Sequence, residues 1–254
     1  MKVSIITVCY NSEKTIEDTL ESIKSQTYKD IEYILIDGLS KDSTNDIIAR
    51  YSDIVSLHIS EKDNGLYDAM NKGISLATGD VVGILNSDDV LADAFVVEKI
   101  VAGFDDTLDA VYSDLIYVSE HNLNKPTRLY SSKVFNKHMM KFGIMLPHPT
   151  FYVRKKCYQT LGLYKDNYRV AADFELLARF ISKGIKSKRL PFVSVKMREG
   201  GISSSGLLWR IHQNFEIVRA CKENNIYTNI FLIMLKLPYK LLTLLTRWFI
   251  RVKK

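Results

Sequence analysis

Apolar positions in the first ninety residues gather into short, nearly unbroken runs separated by polar clusters. Residues 3–9, 33–36 and 81–85 are such runs, rich in Ile and Val. A half-buried strand would alternate apolar and polar side chains, so these read as strands covered on both faces. Residues 55–60 form a further, weaker strand candidate. Between the runs the period changes. Ile16, Leu20 and Ile23 recur at helical spacing, with Asn11 or Ser12 as N-cap. Ser43 and Asp46 have the spacing of a capping box, opening a helix whose inner face is Ile47, Ile48 and Tyr51. A helix from about Leu66 to Leu76 ends at Thr78-Gly79, with Gly supplying the C-terminal cap. The order strand-helix repeated to a fourth strand predicts an α/β fold built on a parallel sheet.

Three of these strands end in polar residues: Tyr10-Asn11, Asp37-Gly38, and Asn86-Ser87-Asp88-Asp89. Open α/β sheets bind ligands at the carboxyl ends of their strands. One such cluster is adequately explained as a helix cap; several on adjacent strands outline a cleft. The adjacent carboxylates Asp88 and Asp89 repel each other and call for a cation or hydrogen-bond donors. Hard oxygen ligands of this type suit Mg²⁺ or Mn²⁺ carried on substrate phosphates. No strand is followed by a glycine-rich dinucleotide fingerprint or a P-loop, which disfavours a dehydrogenase or a P-loop NTPase.

Later residues are less regular. Residues 92–102 read as a helix and 110–118 as a strand carrying Tyr112 and Asp114. Residues 119–145 are polar and basic, and read as loops with a flexible lid. Residues 147–153 begin a strand with His148 at its mouth, followed by a short helix over 154–161 that Gly162 ends. A helix over 171–181 carries Asp173 and Glu175 in its first turn, where the helix dipole favours the charged carboxylate. After a strand over 190–196, the Gly200–Ser205 segment is a connector or, less favoured, a backbone nest for an anion.

Composition narrows the class. With 254 residues, 46% hydrophobic and 25% charged, the chain can bury a sizeable core. After Glu223 there is no acidic residue, and Lys236, Lys240, Arg247, Arg251, Lys253 and Lys254 account for the entire net charge of +6. Residues 1–223 are therefore formally neutral, which argues against a nucleic-acid partner and for one attraction at one end. Cys9, Cys157 and Cys221 are odd in number and widely spaced, as in a reduced, cytosolic protein. The apolar start is too short for a good signal peptide. Charges interrupt residues 226–254 before any apolar run reaches the roughly 18 residues that span a bilayer. At helical spacing Lys236, Lys240, Arg247, Arg251 and Lys254 share one arc with Thr243, while Leu241, Leu242, Leu245, Trp248 and Phe249 point elsewhere, and Pro238 suits the first turn. Such a helix reads as interfacial, on a membrane surface, in preference to packing on the body or a partner subunit.

These motifs together resemble family 2 GT-A glycosyltransferases, in particular the bacterial enzymes that build capsule, O-antigen or exopolysaccharide. The resemblance rests on V-S-I-I-T-V-C-Y-N-S at the start, I-D-G-L-S-K-D-S-T at 36–44, and E-K-D-N-G-L-Y-D-A-M-N-K-G-I at 61–74. G-D-V-V-G-I-L-N-S-D-D follows at 79–89, then H-P-T-F at 148–151, A-A-D-F-E at 171–175 and G-G-I-S at 200–203. It implies a GT-A domain over 1–205, with a Rossmann-like nucleotide-binding half, and a helical, membrane-associating region over 206–254. By the resemblance, Thr7, Tyr10, Asn11 and Asp37 line the nucleotide pocket, with Asp37 accepting from the base, and Asn71 and Lys72 approach the ribose or phosphates. Asn86-Ser87-Asp88 occupies the family's Asp-x-Asp position, with Asn86 in place of the first Asp. Asp88 is then the metal ligand and Asp89 a helper. Asp173 matches the general base. His148, Glu175 and the Gly200-Gly201 loop are assigned to closing over donor or acceptor.

The implied reaction moves a sugar, with inversion, from a nucleotide diphosphate sugar (UDP favoured) to a hydroxyl of a lipid-linked saccharide at the inner face of the cytoplasmic membrane. A nucleotidyltransferase would carry a glycine-rich basic loop after the first strand, where this chain has Tyr10-Asn11-Ser12. A sugar-nucleotide-binding protein without turnover would need neither Asp88 nor Asp173 to be acidic.

Overall fold

The computed structural model describes residues 1–200 and 207–236. Its first half follows the expected alternation: β1 (Val3–Cys9), α1 (Ile16–Lys24), β2 (Ile31–Asp37), α2 (Thr44–Ala49), β3 (Leu57–Ser60), α3 (Leu66–Leu76) and β4 (Val81–Ile84). The second half holds β5 (Val90–Leu91), α4 (Val96–Gly103), β6 (Ala110–Ser119), β7 (Asn122–Tyr130), β8 (Tyr152–Arg154), α5 (Lys155–Leu161), α6 (Ala172–Ser182), β9 (Ser187–Arg198), α7 (Leu207–Glu223) and α8 (Ile230–Met234). All the strands join one sheet in the order β3-β2-β1-β4-β8-β6-β9-β5, with β7 added to β6. β1 runs parallel to β2 and β4, and β2 parallel to β3. Beyond β4 the sheet is mixed: β8 is antiparallel to both β4 and β6, whereas β6 and β9 are parallel.

The unbroken apolar runs have a direct structural cause. Neighbouring side chains on a strand point to opposite faces. Ile5, Tyr33, Leu35 and Val81 face a core built with Ile16, Leu20 and Ile23 of α1. Ile6, Ile34, Ile36 and Val82 face another, built with Met70 and Ile74 of α3 and Phe174 of α6. Both faces are covered, so the few polar strand residues, Ser4, Thr7, Glu32 and Asp37, are buried and hydrogen-bonded within the protein.

Local expectations fare unevenly. α1 starts at Ile16, not after Asn11 or Ser12, because the backbone N–H groups of Thr15 and Ile16 first close a turn on the Ser12 carbonyl. Ser43 makes no capping bond; the Asp42 carboxylate does, accepting from the Thr44 N–H at 3.1 Å. Gly79 is not a left-handed cap. α3 ends at an extended Ala77, and Gly79 is needed because an added Cβ would come within 2.8 Å of the Lys2 carbonyl. α4 begins later than expected, since Val90–Leu91 pairs with β9 as a strand. Residues 119–145 hold β7 and 3-10 turns at Ser132–Val134 and Lys137–Phe142 instead of loops and a lid. β7 lies exposed with Pro126 at a register shift, so it shows no apolar alternation. His148–Thr150 is a 3-10 turn, and the strand starts only at Tyr152.

The core also crosses residue 205. Ile217, Ala220 and Cys221 of α7 and Ile233 of α8 share one cluster with Phe174 and Leu177 of α6. The stripe residues beyond Lys236, together with Pro238, lie outside the described residues, as do Gly201 to Ser205. No helix among the described residues is long and apolar enough to cross a membrane.

Two glycines set how closely elements approach. A Cβ on Gly73 of α3 would lie 2.4 Å from Ile6 Cγ2, and one on Gly83 of β4 would lie 2.3 Å from the Tyr152 ring. Overpacking of this kind costs about 1–3 kcal/mol. Gly73→Ala and Gly83→Ala should each lower the urea unfolding midpoint accordingly; an unchanged midpoint would show that α3 or Tyr152 can retreat freely.

Candidate functional site

The carboxyl ends of β1, β2 and β4 open on the same edge of the sheet, and the chain treats their carboxylates very differently. Asp37 is fully buried. Its oxygens accept from the Ser40 N–H at 2.9 Å, Ser60 Oγ at 2.6 Å and Asn45 Nδ2 at 3.0 Å, and also from Ser40 Oγ. Burial alone would raise its proton affinity, but these donors outweigh it and hold the carboxyl below its ordinary value. Asp37 is thus spent on pinning the loop 38–45. Asn11 secures the other side of that loop, its Oδ1 accepting from the Lys41 N–H and its own N–H donating to Ser40 Oγ. Asn11 at φ 49° and Leu39 at φ 65° both occupy left-handed backbone here, and such strain concentrates at functional sites. Tyr10 stands exposed beside Gly38, whose replacement by a larger residue would meet the Asp63 carboxylate. Thr7, by contrast, is fully buried, and its hydroxyl accepts from Tyr33 OH at 3.0 Å.

The end of β4 is starved of donors. Asp89 is fully buried; Asn86 Nδ2 donates to its Oδ2 at 3.1 Å, while its Oδ1 has no partner. Burial and the neighbouring Asp88 charge push Asp89 well above the usual carboxylate range, against the Arg198 backbone N–H and guanidinium. Asp88 is half-buried, and desolvation raises it too, with Arg198 opposing. Ser87 Oγ meets Ser12 Oγ at 2.9 Å, tying β4 to the start of α1. Two hard carboxylates short of positive charge fit a divalent cation. Among the described residues no three His, Cys, Asp or Glu side chains are grouped to hold one.

The start of α6 is held by an acid and a hydroxyl from other elements. Glu216 of α7 accepts from the backbone N–H groups of Arg169, Val170 and Ala171 at 2.7–2.8 Å, and Tyr67 OH donates to the Val170 carbonyl. In the turn so fixed, Asp173 is half-buried. Desolvation raises its proton affinity above the ordinary value despite the opposing pull of nearby His148 and of backbone N–H groups. The helix dipole therefore loses to burial, contrary to the sequence expectation. His148 Nε2 lies 2.5 Å from Tyr164 OH, and burial lowers the imidazole's proton affinity with Asp173 opposing. The turn that carries His148 packs on β4 and so connects the two sides of the site.

Other candidates stand elsewhere. Asn71 is engaged with the backbone of Tyr164, donating to its carbonyl at 2.8 Å and accepting from its N–H at 2.9 Å. Lys72 pairs with Glu61 at 2.9 Å and Asp68 at 3.6 Å on the outer side of α3. Glu175 is fully buried and ion-paired with Lys165 and Arg179, so it braces α6 and does not face the cleft. Gly200 is exposed at φ 108°, beside Glu120. Sequence reasoning missed Arg198, Tyr67, Tyr164 and Glu216, which bond to residues far off in the chain: Asp18, Val170, Asn71 and the backbone of residues 169–171.

A model of glycosyl transferase family 2 matches residues 4–162. A PGL/p-HBAD biosynthesis glycosyltransferase of Mycobacterium bovis BCG is 31% identical over 213 residues, 80% of this chain and 79% of the relative. Staphylococcus aureus TarS 1-349, solved with UDP-GlcNAc, superposes with a TM-score of 0.70 at 20% identity, covering 87% of this chain and 66% of that one. The mannosyltransferase PcManGT of Pyrobaculum calidifontis, solved with GDP-Man and Mn²⁺, superposes with a TM-score of 0.66 at 19% identity, covering 87% and 63%. The likeness to these two structures establishes the GT-A fold.

The raised Asp173 carboxyl has a stability consequence. The folded state binds its proton more tightly than the unfolded chain, so stability falls as pH rises from the ordinary value of 3.8 through the raised one. Asp173→Asn removes that penalty. Its melting temperature should equal or exceed the native one at pH 7, and the advantage should shrink toward pH 3.5. A large loss of stability at pH 7 would show that the charged carboxylate is stabilised in place.

Proposed function

Because the chain belongs to glycosyl transferase family 2, we propose that it transfers a sugar, with inversion, from a nucleotide diphosphate sugar to a hydroxyl of a lipid-linked saccharide. The observation that supports this reading is a chain of contacts from the end of β4, where burial raises Asp88, through the His148 turn packed on β4, to Asp173 in the first turn of α6, which burial also raises. In this reading the nucleotide lies over Tyr10 and the loop that Asp37 and Asn11 pin, and a UDP donor is favoured. Thr7, Asn71 and Lys72 then serve the nucleotide side through the strand, helix and loop they hold. Asn86 and Ser87 frame the diphosphate, and Asp89 supports Asp88 from behind.

A Mg²⁺ or Mn²⁺ ion held by Asp88 and the donor's phosphates would neutralise the leaving diphosphate as a Lewis acid. PcManGT, solved with Mn²⁺, makes a divalent ion chemically reasonable for this fold. Asp173 takes the proton from the acceptor hydroxyl as it attacks the anomeric carbon from the face opposite the diphosphate. Its raised proton affinity improves it as a base, and Glu216 and Tyr67 fix its position. His148 closes the cleft beside it, together with the Gly200-Gly201 segment that follows β9 in the sequence. The donor site belongs to residues 1–205, and the basic stripe of Lys240, Arg247, Arg251 and Lys254 holds the protein against the inner face of the cytoplasmic membrane, where lipid-linked acceptors reside. Lys236, expected in that stripe, is instead buried and donates to Asn214 Oδ1 at 2.6 Å.

The test is nucleotide release from UDP-, GDP- and dTDP-sugars, with Mg²⁺ or Mn²⁺ and membrane lipid extract. One donor should turn over, and chelator should abolish release. Asp173→Asn should lower kcat about 10²- to 10⁴-fold, the range general-base catalysis supplies. Full activity in the variant would remove Asp173 from the role. Tight binding of a donor without turnover would favour a sugar-nucleotide-binding protein instead. For the active enzyme, the acid limb of kcat against pH should lie above 3.8, the ordinary value for Asp173, because only the deprotonated carboxylate accepts the proton. A limb at or below 3.8 would contradict the assignment.

A further inference from the structure

Two long stretches of the chain contain no acidic residue: none occurs between Glu120 and Asp166, and none after Glu223. They are far apart in sequence and meet in the fold. Thr228 donates its hydroxyl to the Lys141 carbonyl, and Ile233 packs over Gly143. α8 is thereby strapped across the Lys137–Phe142 turn. Its inward side chain, Ile233, is fully buried, while Phe231 is 81% exposed and Met234 and Leu235 also face outward. Tyr227, 80% exposed, and Val134 lie on the same two segments. Aromatic side chains this exposed are costly in water unless something covers them.

A groove of about 570 Å³ adjoins this apolar face, lined by Lys137, His138, Lys141 and Lys183, with Tyr227 as part of its wall. The one acidic residue lining it among the described residues, Glu223, is already paired with Lys165 and Arg219. The composition discriminates between occupants. Protein–protein interfaces favour Arg and deplete Lys. Aromatic side chains interleaved with lysines, and no free acid, match the headgroup level of an anionic bilayer.

We propose that α8, the Lys137–Phe142 turn and this groove form the face by which the folded body docks on an anionic lipid bilayer. The proposal rests on the membrane reading of the basic stripe and deepens it: the stripe anchors the chain, and this face orients the body. The orientation sets a distance. Lys183, at the C-cap of α6, lines the groove, and Asp173 stands in that helix's first turn. Ten residues at 1.5 Å rise separate them by about 15 Å. The acceptor must then present its reacting hydroxyl within about that distance of the docking face, which suits a lipid carrying a diphosphate and a short saccharide.

The experiment is co-sedimentation of the full chain with phosphatidylglycerol-containing vesicles and with neutral phosphatidylcholine vesicles. Wild type should bind the anionic vesicles only. Lys137→Glu with Lys141→Glu should weaken that binding about tenfold or more, as expected for reversing two lysines at a charged surface. Lys137→Arg with Lys141→Arg should retain it, and Phe231→Ser should weaken it without changing nucleotide release with a soluble acceptor. A tail variant, Lys240→Glu with Arg247→Glu and Arg251→Glu, is measured in parallel. If wild type binds, the tail variant fails and the Lys137/Lys141 reversal matches wild type, this face is excluded while the tail reading stands. If wild type itself fails to bind, the membrane reading falls and this proposal with it. A concentration-dependent dimer abolished by Phe231→Ser would assign the face to a second copy and overturn the proposal.

Discussion

Carboxylates at the mouth of a closed, two-faced sheet must be either satisfied by the chain or left in want of something else. Asp37 is satisfied: Ser40, Ser60 and Asn45 surround it, and its charge becomes the peg of a loop. Asp88 and Asp89 are not. One oxygen of Asp89 is buried without a donor, and Arg198 compensates only in part. A fold that wanted stability alone would have supplied the missing donors or replaced an acid by an apolar residue. Burial with few donors is what distinguishes the end of β4 from the Asp37 peg.

That contrast also shows where a sequence is readable. The strand cores of β1, β2 and β4 are legible because both faces are covered, so burial writes itself as unbroken apolar runs. The end of α3 is equally clear, whereas the reason for Gly79 is not: its constraint is the backbone of Lys2, nearly eighty residues earlier. β7 is invisible because an exposed edge strand need not alternate. Within the site, Asp88 and Asp173 stand out by residue type and position. The true engagements of Asn71 and Glu175 do not, since each is decided by a partner on another element: the Tyr164 backbone for one, Lys165 and Arg179 for the other. Arg198, Tyr67 and Glu216 carry no local signal for the same reason.

Asp173 illustrates how two correct local rules are ranked by the tertiary structure. A first-turn carboxylate gains from the helix dipole, typically 0.3–1 kcal/mol at an exposed site. Asp173 does collect that gain, its Oδ1 accepting from the Phe174 N–H at 2.7 Å, yet burial outweighs it. Walls built from Tyr67, Tyr164 and His148 then desolvate it. The acid on α7 holds the segment from which α6 begins, and burial, not the loss of helix donors, sets the proton affinity of Asp173. α7 follows the segment in which the resemblance lies, yet its Glu216 holds the turn leading into α6 and its Ile217, Ala220 and Cys221 share a core with Phe174, so α6 and α7 form one packed unit.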